Sequence, residues 1–345
     1  MPDHNEQPTT NNEQKTNMNN QTILQPNAQK ATDIRSALAN AGLNWEVEKR
    51  SIFVAGKDNL GFSDSFKEIP NQYATVRTDT QEVLGIVGSK YHIIQNENAF
   101  AILDDIIRER TAAGKECKYD SVVTGDGGRR VAVTVDFGKF EVVPGDVNQS
   151  YLTAVTSHDG SAATRFMWLS FRFACFNAFR RALKKVRGTD DTTTVRHTAS
   201  HGNRLNIARR VIQSTGYTQD NIAGVLRDLA SRQLRQNEIK LGIERLFPYQ
   251  VKEDGETPER IERKRQKVLE LFEYNDNNAV PAIRGTAYNL FNAYTEFVDH
   301  YEPVVRTQAR KGMTDTRIRQ ERAFFGTGAD AKERALDIIT DLSLN

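Results

Sequence analysis

The sequence has 345 residues, of which 38% are hydrophobic and 27% charged, and its formal net charge is +2. No apolar run approaches the roughly 18 residues that a membrane-spanning helix needs. Two cysteines are too few for a disulfide framework or a structural zinc site. The first residues have neither a basic start nor an apolar stretch, so we expect no secretory signal and a protein of the reducing cytoplasm.

The N-terminal segment differs in composition from the rest of the chain. Residues 1–30 are rich in Asn, Gln, Thr and Pro and almost free of large apolar side chains. Such a segment buries too little apolar surface to offset its chain entropy, so a disordered polar tail is predicted. Downstream, the pattern predicts an α+β core over residues 45–200 and a helical C-terminal region over residues 203–345.

The core is predicted to be mostly β-structure. Runs of β-prone residues predict strands over 73–78, 83–87, 119–124, 129–137, 150–157 and 164–171. Polar or glycine-rich turns join them, including Gly125–Gly128 and the motif His158-Asp159-Gly160. Apolar residues at helical spacing predict a helix over 96–110, with Asn96 as its N-cap.

The remaining pattern is helical. A helix is predicted over 173–187, with Cys175, Phe179, Ala182 and Val186 as its apolar stripe. Further helices are predicted over 205–215, 218–246, 258–274, 287–298 and 329–342, with residues 325–328 as a loop before the last. The fold class is therefore α+β: a mostly antiparallel curved sheet containing a β-β-β-α unit, helices packed on one side, and a helical C-terminal region.

Positive charge is concentrated in one part of the chain. Residues 165–210 contain eleven Lys and Arg residues but only two acids, Asp190 and Asp191. Such a density is an electrostatic footprint for a polyanion, although a solvated helix face explains it about as well.

A single nucleic-acid strand is bound by cations that follow its phosphates and by aromatic rings that stack on its bases. The candidate cations are Arg129, Arg130, Arg165, Arg172, Arg180, Arg181, Lys184, Lys185 and Arg187. The candidate aromatic residues are Tyr151, Phe166, Trp168 and Phe176, each of which is more typical of a core.

Other motifs favour structural interpretations. Residues 125–130 lack the Gly-Lys-Ser/Thr ending and the following helix of a phosphate-binding loop, so a hairpin turn is predicted. His197 and His201 are four residues apart, but no third metal ligand accompanies them. His158 and Asp159 suggest an acid–base pair, yet no nucleophile motif is present, and a structured turn is the favoured interpretation. We therefore predict no catalytic residue, no metal and no cofactor.

Scattered short stretches carry a family resemblance. They are 73–80, 83–88, Tyr91, 95–96, 99–100, 157–161, Arg172, Cys175, Asn177, 196–198, 292–296, 298–300 and 325–328. In these the sequence resembles a phage/plasmid-like protein family catalogued as a domain of unknown function. The resemblance covers roughly residues 45–342, and it implies a mobile-element protein of a bacterium or its virus with no established activity.

A second resemblance concerns the segment ACFNAFRRALKK, Ala174 to Lys185. It is similar to the basic helix that ends the β-β-β-α unit of ring-forming single-strand annealing recombinases. The sequence departs from that pattern at His158-Asp159-Gly160-Ser161, which replaces the usual acidic and glycine residues of the preceding strand.

These patterns lead to an expected function and two alternatives. We expect sequence-independent binding of single-stranded DNA, with strand annealing in phage or plasmid recombination and a homo-oligomer as further expectations, in the cytoplasm of a bacterial host and away from membranes. The alternative is a non-enzymatic interaction or regulatory protein of the mobile element, such as an anti-defence factor, whose basic surface meets an acidic protein. A hydrolase or nuclease is the least favoured, because no metal-binding cluster of acids is visible.

Overall fold

The computed structural model describes residues 27–56, 65–161, 164–172, 175–178, 194–195, 201–249, 258–275, 280–307, 311–325 and 327–344. Within these residues, two antiparallel sheets are combined with helices, and the C-terminal part is helical. The predicted α+β class is confirmed. Residues 1–26 of the predicted tail lie outside the described residues. Residues 27–29 are hydrogen-bonded to the strand Lys118–Gly125, for example through the Ala28 N–H, which donates to the Asp120 carbonyl at 3.0 Å.

The first sheet has the order β1 (Val47–Ala55), β2 (Phe66–Arg77) and β3 (Val83–Gly88). The predicted β2–β3 hairpin is confirmed, and β2 begins earlier than expected because its first half pairs with β1. Since β3 pairs only with residues 72–76 of β2, the strands β1 and β2 continue beyond it as a two-stranded ribbon, in which residues 53–55 pair with 66–68 after a register shift between Ser51 and Phe53. We call residues 51–55 and 66–70 the ribbon.

The second sheet is a meander. Its strands are β4 (Lys118–Gly125), β5 (Arg130–Glu141), β6 (Val147–Ser157), β7 (Thr164–Arg172) and β8 (Cys175–Ala178), each paired with the next, and β9 (Thr194–Val195) also pairs with β7. The predicted β4–β5 hairpin is confirmed. Its turn needs left-handed backbone, which Gly127 (φ 70°) and Gly128 (φ 101°) supply without steric cost.

The helices are α1 (Ile34–Asn40), α2 (Asn96–Phe100), α3 (Ile102–Ala112), α4 (His201–Ser231), α5 (Gln236–Leu246), α6 (Pro258–Tyr274), α7 (Ala287–Glu296), α8 (Asp315–Phe325) and α9 (Thr327–Leu344), with a π-helical turn Phe297–Tyr301 after α7. Three begin at side-chain caps: Asp33 accepts from the Ser36 N–H in α1, Thr286 accepts from the Asn289 N–H in α7, and Thr314 accepts from the Arg317 N–H in α8.

Several local expectations are wrong. The helices predicted over 205–215 and 218–246 are instead one helix over His201–Ser231 and a second over Gln236–Leu246. The helix predicted from residue 173 is a strand at Cys175–Ala178, because the free edge of β7 offers backbone partners from Leu169 to Arg172; residues 179–187 lie outside the described residues. The N-cap of α2 is Gln95, and Asn96 is the first helical residue. The last helix starts at Thr327, within the predicted loop.

Helices contact both faces of the second sheet, and not one face as predicted. On one face, Leu38, Phe100 and Leu103 of α1–α3 pack with Val131 and Val133 of β5. On the opposite face, Phe324 of α8 and Ala329 of α9 pack with alternate residues such as Ala132 and Leu169. The C-terminal helices form a further cluster that includes Leu226, Phe272, Phe291 and Ile339 and reaches the sheet at Trp168.

Candidate nucleic-acid interface

The glycine-rich turn between β4 and β5 carries Arg129 and Arg130. Its backbone is packed closely, since a Cβ atom at Gly125 would lie 2.6 Å from the Phe325 ring. Arg129 is exposed, and its carbonyl accepts a 2.8 Å hydrogen bond from the His158 N–H. The turn therefore presents the Arg129 side chain to solvent while its backbone is held by the neighbouring β6–β7 turn.

The Arg130 side chain makes two contacts within the protein. Its guanidinium donates to the Phe325 carbonyl (Nη1 to O, 3.0 Å) and lies 3.4 Å from Asp126 Oδ2. About a third of its side chain, 36%, remains exposed. Arg130 can touch a ligand only with the part of the guanidinium that these two contacts leave to solvent.

The first residue of the turn His158-Asp159-Gly160 is buried in the core. His158 is 1% exposed, its Nε2 lies 2.8 Å from Asn96 Oδ1, and its ring meets Trp45 edge-on at 5.4 Å. Burial disfavours the imidazolium and lowers the pKa of His158 to about 4, an effect that the Asp159 carboxylate only partly offsets. The neutral imidazole thus faces Asn96, and not Asp159.

Asp159 is used within the turn. Burial raises the pKa of Asp159, but hydrogen bonds from Ser161 and Ser157 outweigh this, so the pKa lies below its ordinary value. The Ser161 N–H donates to Asp159 Oδ1 at 2.9 Å, and Gly160 supplies a φ of 77°. This geometry fits the structured-turn interpretation of the motif better than an acid–base pair.

Arg165 is exposed near the start of β7. The register pairs Arg165 with Val155 and Arg130 with Ser157, so both arginines project from one face of the sheet. With strands about 4.8 Å apart and a rise of about 3.4 Å per residue, their Cα atoms are separated by roughly 12 Å. Arg129, Arg130 and Arg165 therefore lie at one end of the second sheet.

The outer edge of β7 carries two more pairings. Ala178 of β8 pairs with Leu169, and Thr194 of β9 pairs with Arg165. Ala178 and Thr194, which flank residues 179–193 in the sequence, therefore both lie on the same edge of β7. The predicted cations Arg180, Arg181, Lys184, Lys185 and Arg187 belong to this stretch and lie outside the described residues. We call Arg165 and residues 179–193 the basic edge.

Arg172 differs from the other candidate cations. Its side chain is 3% exposed and forms an ion pair with Asp146, which is itself fully buried. The Tyr288 hydroxyl donates to the second carboxylate oxygen at 3.0 Å. A guanidinium enclosed in this way cannot reach a phosphate at the surface, so Arg172 does not belong to the interface.

Two of the candidate stacking residues are core residues. Trp168 is fully buried and Phe166 is 4% exposed, so neither ring can receive a base. Tyr151 is half-buried on the face of Arg165, and only the backbone of Phe176 is described. Sequence reasoning also missed Trp45 and gave Asn96 a capping role, although both support His158; neither residue carries a local signal of that contact.

Among the residues that the structure describes, no group of three His, Cys, Asp or Glu side chains could hold a metal ion. Of the pair His197 and His201, the first lies outside those residues and the second is described only by its backbone. Within the same residues, no helix has the length and apolar character needed to cross a membrane.

Comparison with known proteins gives one match. The model of the family described as "Domain of unknown function (DUF932)" matches residues 83–325, which include both turns, the basic edge and the helices α2 to α8. No curated protein and no solved structure matches the chain.

Proposed function

The chain belongs to the DUF932 family, and we propose that it binds single-stranded nucleic acid, DNA in the first instance, independently of base sequence. One observation carries the proposal: Ala178 and Thr194, which flank residues 179–193, both pair with the edge of β7 that includes the exposed Arg165. That stretch contains five cations and two acids. These five cations lie, along the chain, between two strands that both pair with β7, the strand that carries Arg165, and the proposal is that one strand of phosphates meets several of them.

Phosphate contacts account for the expected lack of sequence preference. Contacts from Lys and Arg to phosphates position a strand but carry no information about its bases. Arg129 and the exposed part of Arg130 lie at the same end of the sheet and extend the positive surface. Arg172 makes no contribution, because Asp146 already neutralises it in the interior.

Binding without catalysis is the form of the proposal that the geometry favours. His158 is buried against Asn96, and Asp159 is hydrogen-bonded within its own turn. Neither side chain is arranged to exchange a proton with a bound ligand. The biological setting rests on the resemblance: strand annealing during phage or plasmid recombination, by a homo-oligomer in the bacterial cytoplasm.

A salt titration tests the proposal. The affinity of the full-length protein would be measured for a labelled single strand and for a duplex of the same length, each at several NaCl concentrations. We expect tighter binding of the single strand and a linear fall of log K with log salt, with a slope of about −0.7 per phosphate contact. Absence of binding at low salt would overturn the proposal and favour the interaction-protein alternative, whereas strand cleavage that depends on a divalent cation would favour a nuclease.

A further inference from the structure

The turn that follows α7 brings charged side chains of several helices together. This π-helical turn, Phe297–Tyr301, contacts α6 and α9, and α8 reaches it through Arg319. Its Asp299 carboxylate forms an ion pair with Lys332 of α9, and both side chains are almost fully buried. Turns of this kind are rare and frequently lie at functional sites. The charges at the surface of the turn are therefore candidates for ligand binding.

Arg319 lies against the turn without a carboxylate in contact among the described residues. Its Nη1 donates to the Asp299 carbonyl at 2.9 Å. Burial and the neighbouring Arg322 lower the pKa of Arg319, and the carboxylates that act in the opposite direction do not reverse this shift. The half-buried guanidinium is thus only partly compensated by the charges around it.

Glu302, just beyond the turn, is approached by two further cations. Arg322 forms an ion pair with one of its carboxylate oxygens, and the Lys264 ammonium of α6 lies 3.9 Å from the other. Arg319 and Arg322 are three residues apart on α8, so they share one face of the helix with Cβ atoms about 5–6 Å apart. Arg322 and Lys264 keep 15% and 16% of their side chains exposed, so solvent reaches both.

Neighbouring charged side chains form pairs of their own. These pairs are Lys267 with Glu270, Arg306 with Asp315, and Arg317 with Glu321. Since these carboxylates already have cations beside them, the group formed by Arg319, Arg322 and Glu302 keeps an excess of positive charge. Holding such a charge half-buried costs free energy unless an anion joins it.

A phosphate monoester fits this arrangement. At neutral pH it carries a charge of about −1.5 to −2 and three acceptor oxygens. The planar guanidinium of arginine binds phosphate oxygens in pairs, and lysine adds a point charge. Each phosphodiester inside a strand carries only one charge, so a terminal phosphate matches two guanidinium groups and an ammonium better.

We infer that Arg319, Arg322 and Lys264 form a binding site for a terminal phosphate group, carried by a 5′-mononucleotide or by the 5′ end of a nucleic-acid strand. Glu302 occupies Arg322 until the ligand replaces it. We call these four residues the phosphate site. It lies on α6, α8 and the segment after α7, and it does not depend on the basic edge or on the proposed function.

The test uses the full-length protein and four probes. Thymidine 5′-monophosphate is the phosphate ligand, and thymidine is its control without phosphate. Two labelled oligothymidines of equal length differ only in a phosphate at the 5′ end. Titration calorimetry measures the affinity for the nucleotide. The denaturation midpoint is a second measure, because a ligand that binds only the folded protein raises it.

Three variants are compared with the wild type: Arg319→Gln, Glu302→Gln and Arg245→Gln. The last removes an exposed cation from α5 and is the control for net charge. Circular dichroism establishes that each variant is folded.

We expect the wild type to bind thymidine 5′-monophosphate but not thymidine. Arg319→Gln should bind the nucleotide about tenfold more weakly, the effect of one lost hydrogen bond to a charged group, and Arg245→Gln should match the wild type. Glu302→Gln should bind it more tightly, because the carboxylate that occupies Arg322 is removed. A network that only holds the fold together predicts no such gain.

The outcomes separate this inference from the proposed function. A wild type for which the phosphate makes no difference, in the nucleotide and in the strand alike, overturns the phosphate site even where both strands bind. Weaker or unchanged binding by Glu302→Gln, or equal losses in Arg319→Gln and Arg245→Gln, also overturns it. If the nucleotide binds but neither strand does at low salt, the proposed function fails and the phosphate site stands.

The two strands identify the source of the phosphate. Tighter binding of the 5′-phosphorylated strand assigns the site to a strand end, and nucleotide binding without that preference assigns it to a free mononucleotide. If Arg319→Gln does not fold, the gain in Glu302→Gln decides the inference.

Discussion

The backbone of Asp159 lies directly against Gly85. A Cβ atom at Gly85 would lie 2.6 Å from the Asp159 Cβ and 2.7 Å from its Cα. Gly85 is in β3 of the first sheet, and Asp159 is in the β6–β7 turn of the second. The Tyr91 hydroxyl strengthens the same junction by donating to the Ser157 carbonyl at 3.2 Å. Strand β3 of the first sheet and the β6–β7 turn of the second are thus held together by close backbone packing and a hydrogen bond.

This contact predicts a large effect of a single methyl group. Gly85→Ala should lower the free energy of unfolding by about 1–3 kcal/mol, because the backbone of Asp159 must move away. The matched control is Gly88→Ala in the same strand, where an added Cβ meets nothing within 4 Å. Urea denaturation measures both variants, and equal midpoints would contradict the close approach.

Arg172 and Arg165 lie on one strand and are expected to respond in opposite ways. Arg172→Met leaves the buried Asp146 carboxylate without its cation, which should cost about 3–5 kcal/mol of stability. Arg165→Met changes an exposed residue and should shift stability by no more than about 0.5 kcal/mol. Denaturation midpoints check the first effect. The folded fraction of the Arg172→Met variant should bind single strands with the wild-type affinity. A loss of affinity in this folded fraction would contradict our exclusion of Arg172 from the interface.

The basic edge should determine the salt dependence. Replacing Arg180, Arg181, Lys184 and Lys185 by Gln should weaken binding of all sequences alike and reduce the salt slope by up to about three, at roughly 0.7 per contact. The control variant removes four exposed cations elsewhere, Arg108, Lys115, Arg260 and Arg263, and alters the net charge equally. If both variants change the slope by the same amount, net charge and not the basic edge explains the binding.

The buried histidine predicts a pH dependence of stability. The pKa of His158 falls from 6.5 to about 4 on folding, so the unfolded chain binds more protons between these values. The free energy of unfolding should therefore decrease as the pH drops from 6.5 to 4, by up to about 3 kcal/mol at roughly 1.4 kcal/mol per pH unit.

His158→Gln should flatten that part of the stability profile, whereas His92→Gln, at an exposed position, should leave it unchanged. Buried carboxyl groups such as Asp104, whose pKa burial raises, act in the opposite direction but contribute equally to all three proteins. Denaturation curves at pH 7, 6 and 5 give the comparison, and parallel profiles for the wild type and His158→Gln would contradict it.

We expect residues 1–26 to be dispensable for stability and Asn27 to be required for it. Its side chain donates to the Val122 carbonyl (2.9 Å) and accepts from the Val122 N–H (2.8 Å), so it completes the edge of β4. A chain that starts at residue 27 should melt like the full chain, because residues 1–26 are polar and low in complexity. Asn27→Ala in that shortened chain should cost about 1–3 kcal/mol, since it leaves buried backbone groups unpaired. A large loss on truncation, or none on substitution, would place the boundary elsewhere.

Local pattern in the sequence was enough for most of the architecture. The hairpins β2–β3 and β4–β5, the helix over 258–274 and the α+β class follow from short-range periodicity and turn chemistry. These features depend on neighbours along the chain, which a single sequence displays directly. Residues 125–128 are an example, since a turn with left-handed backbone favours glycine whatever surrounds it.

Only the tertiary structure decided which of these residues meet a ligand or the core. Arg165 and Arg172 have the same side chain on the same strand, yet one is exposed and the other is enclosed by Asp146 and Tyr288. Tyr288 lies 142 residues from Asp146 along the chain, so no local pattern could reveal the enclosure. The strand at Cys175–Ala178 has the same explanation, because its backbone partners on β7 outweigh the helical spacing of its side chains. Burial and strand pairing are set by residues distant in sequence, and folding alone brings them together.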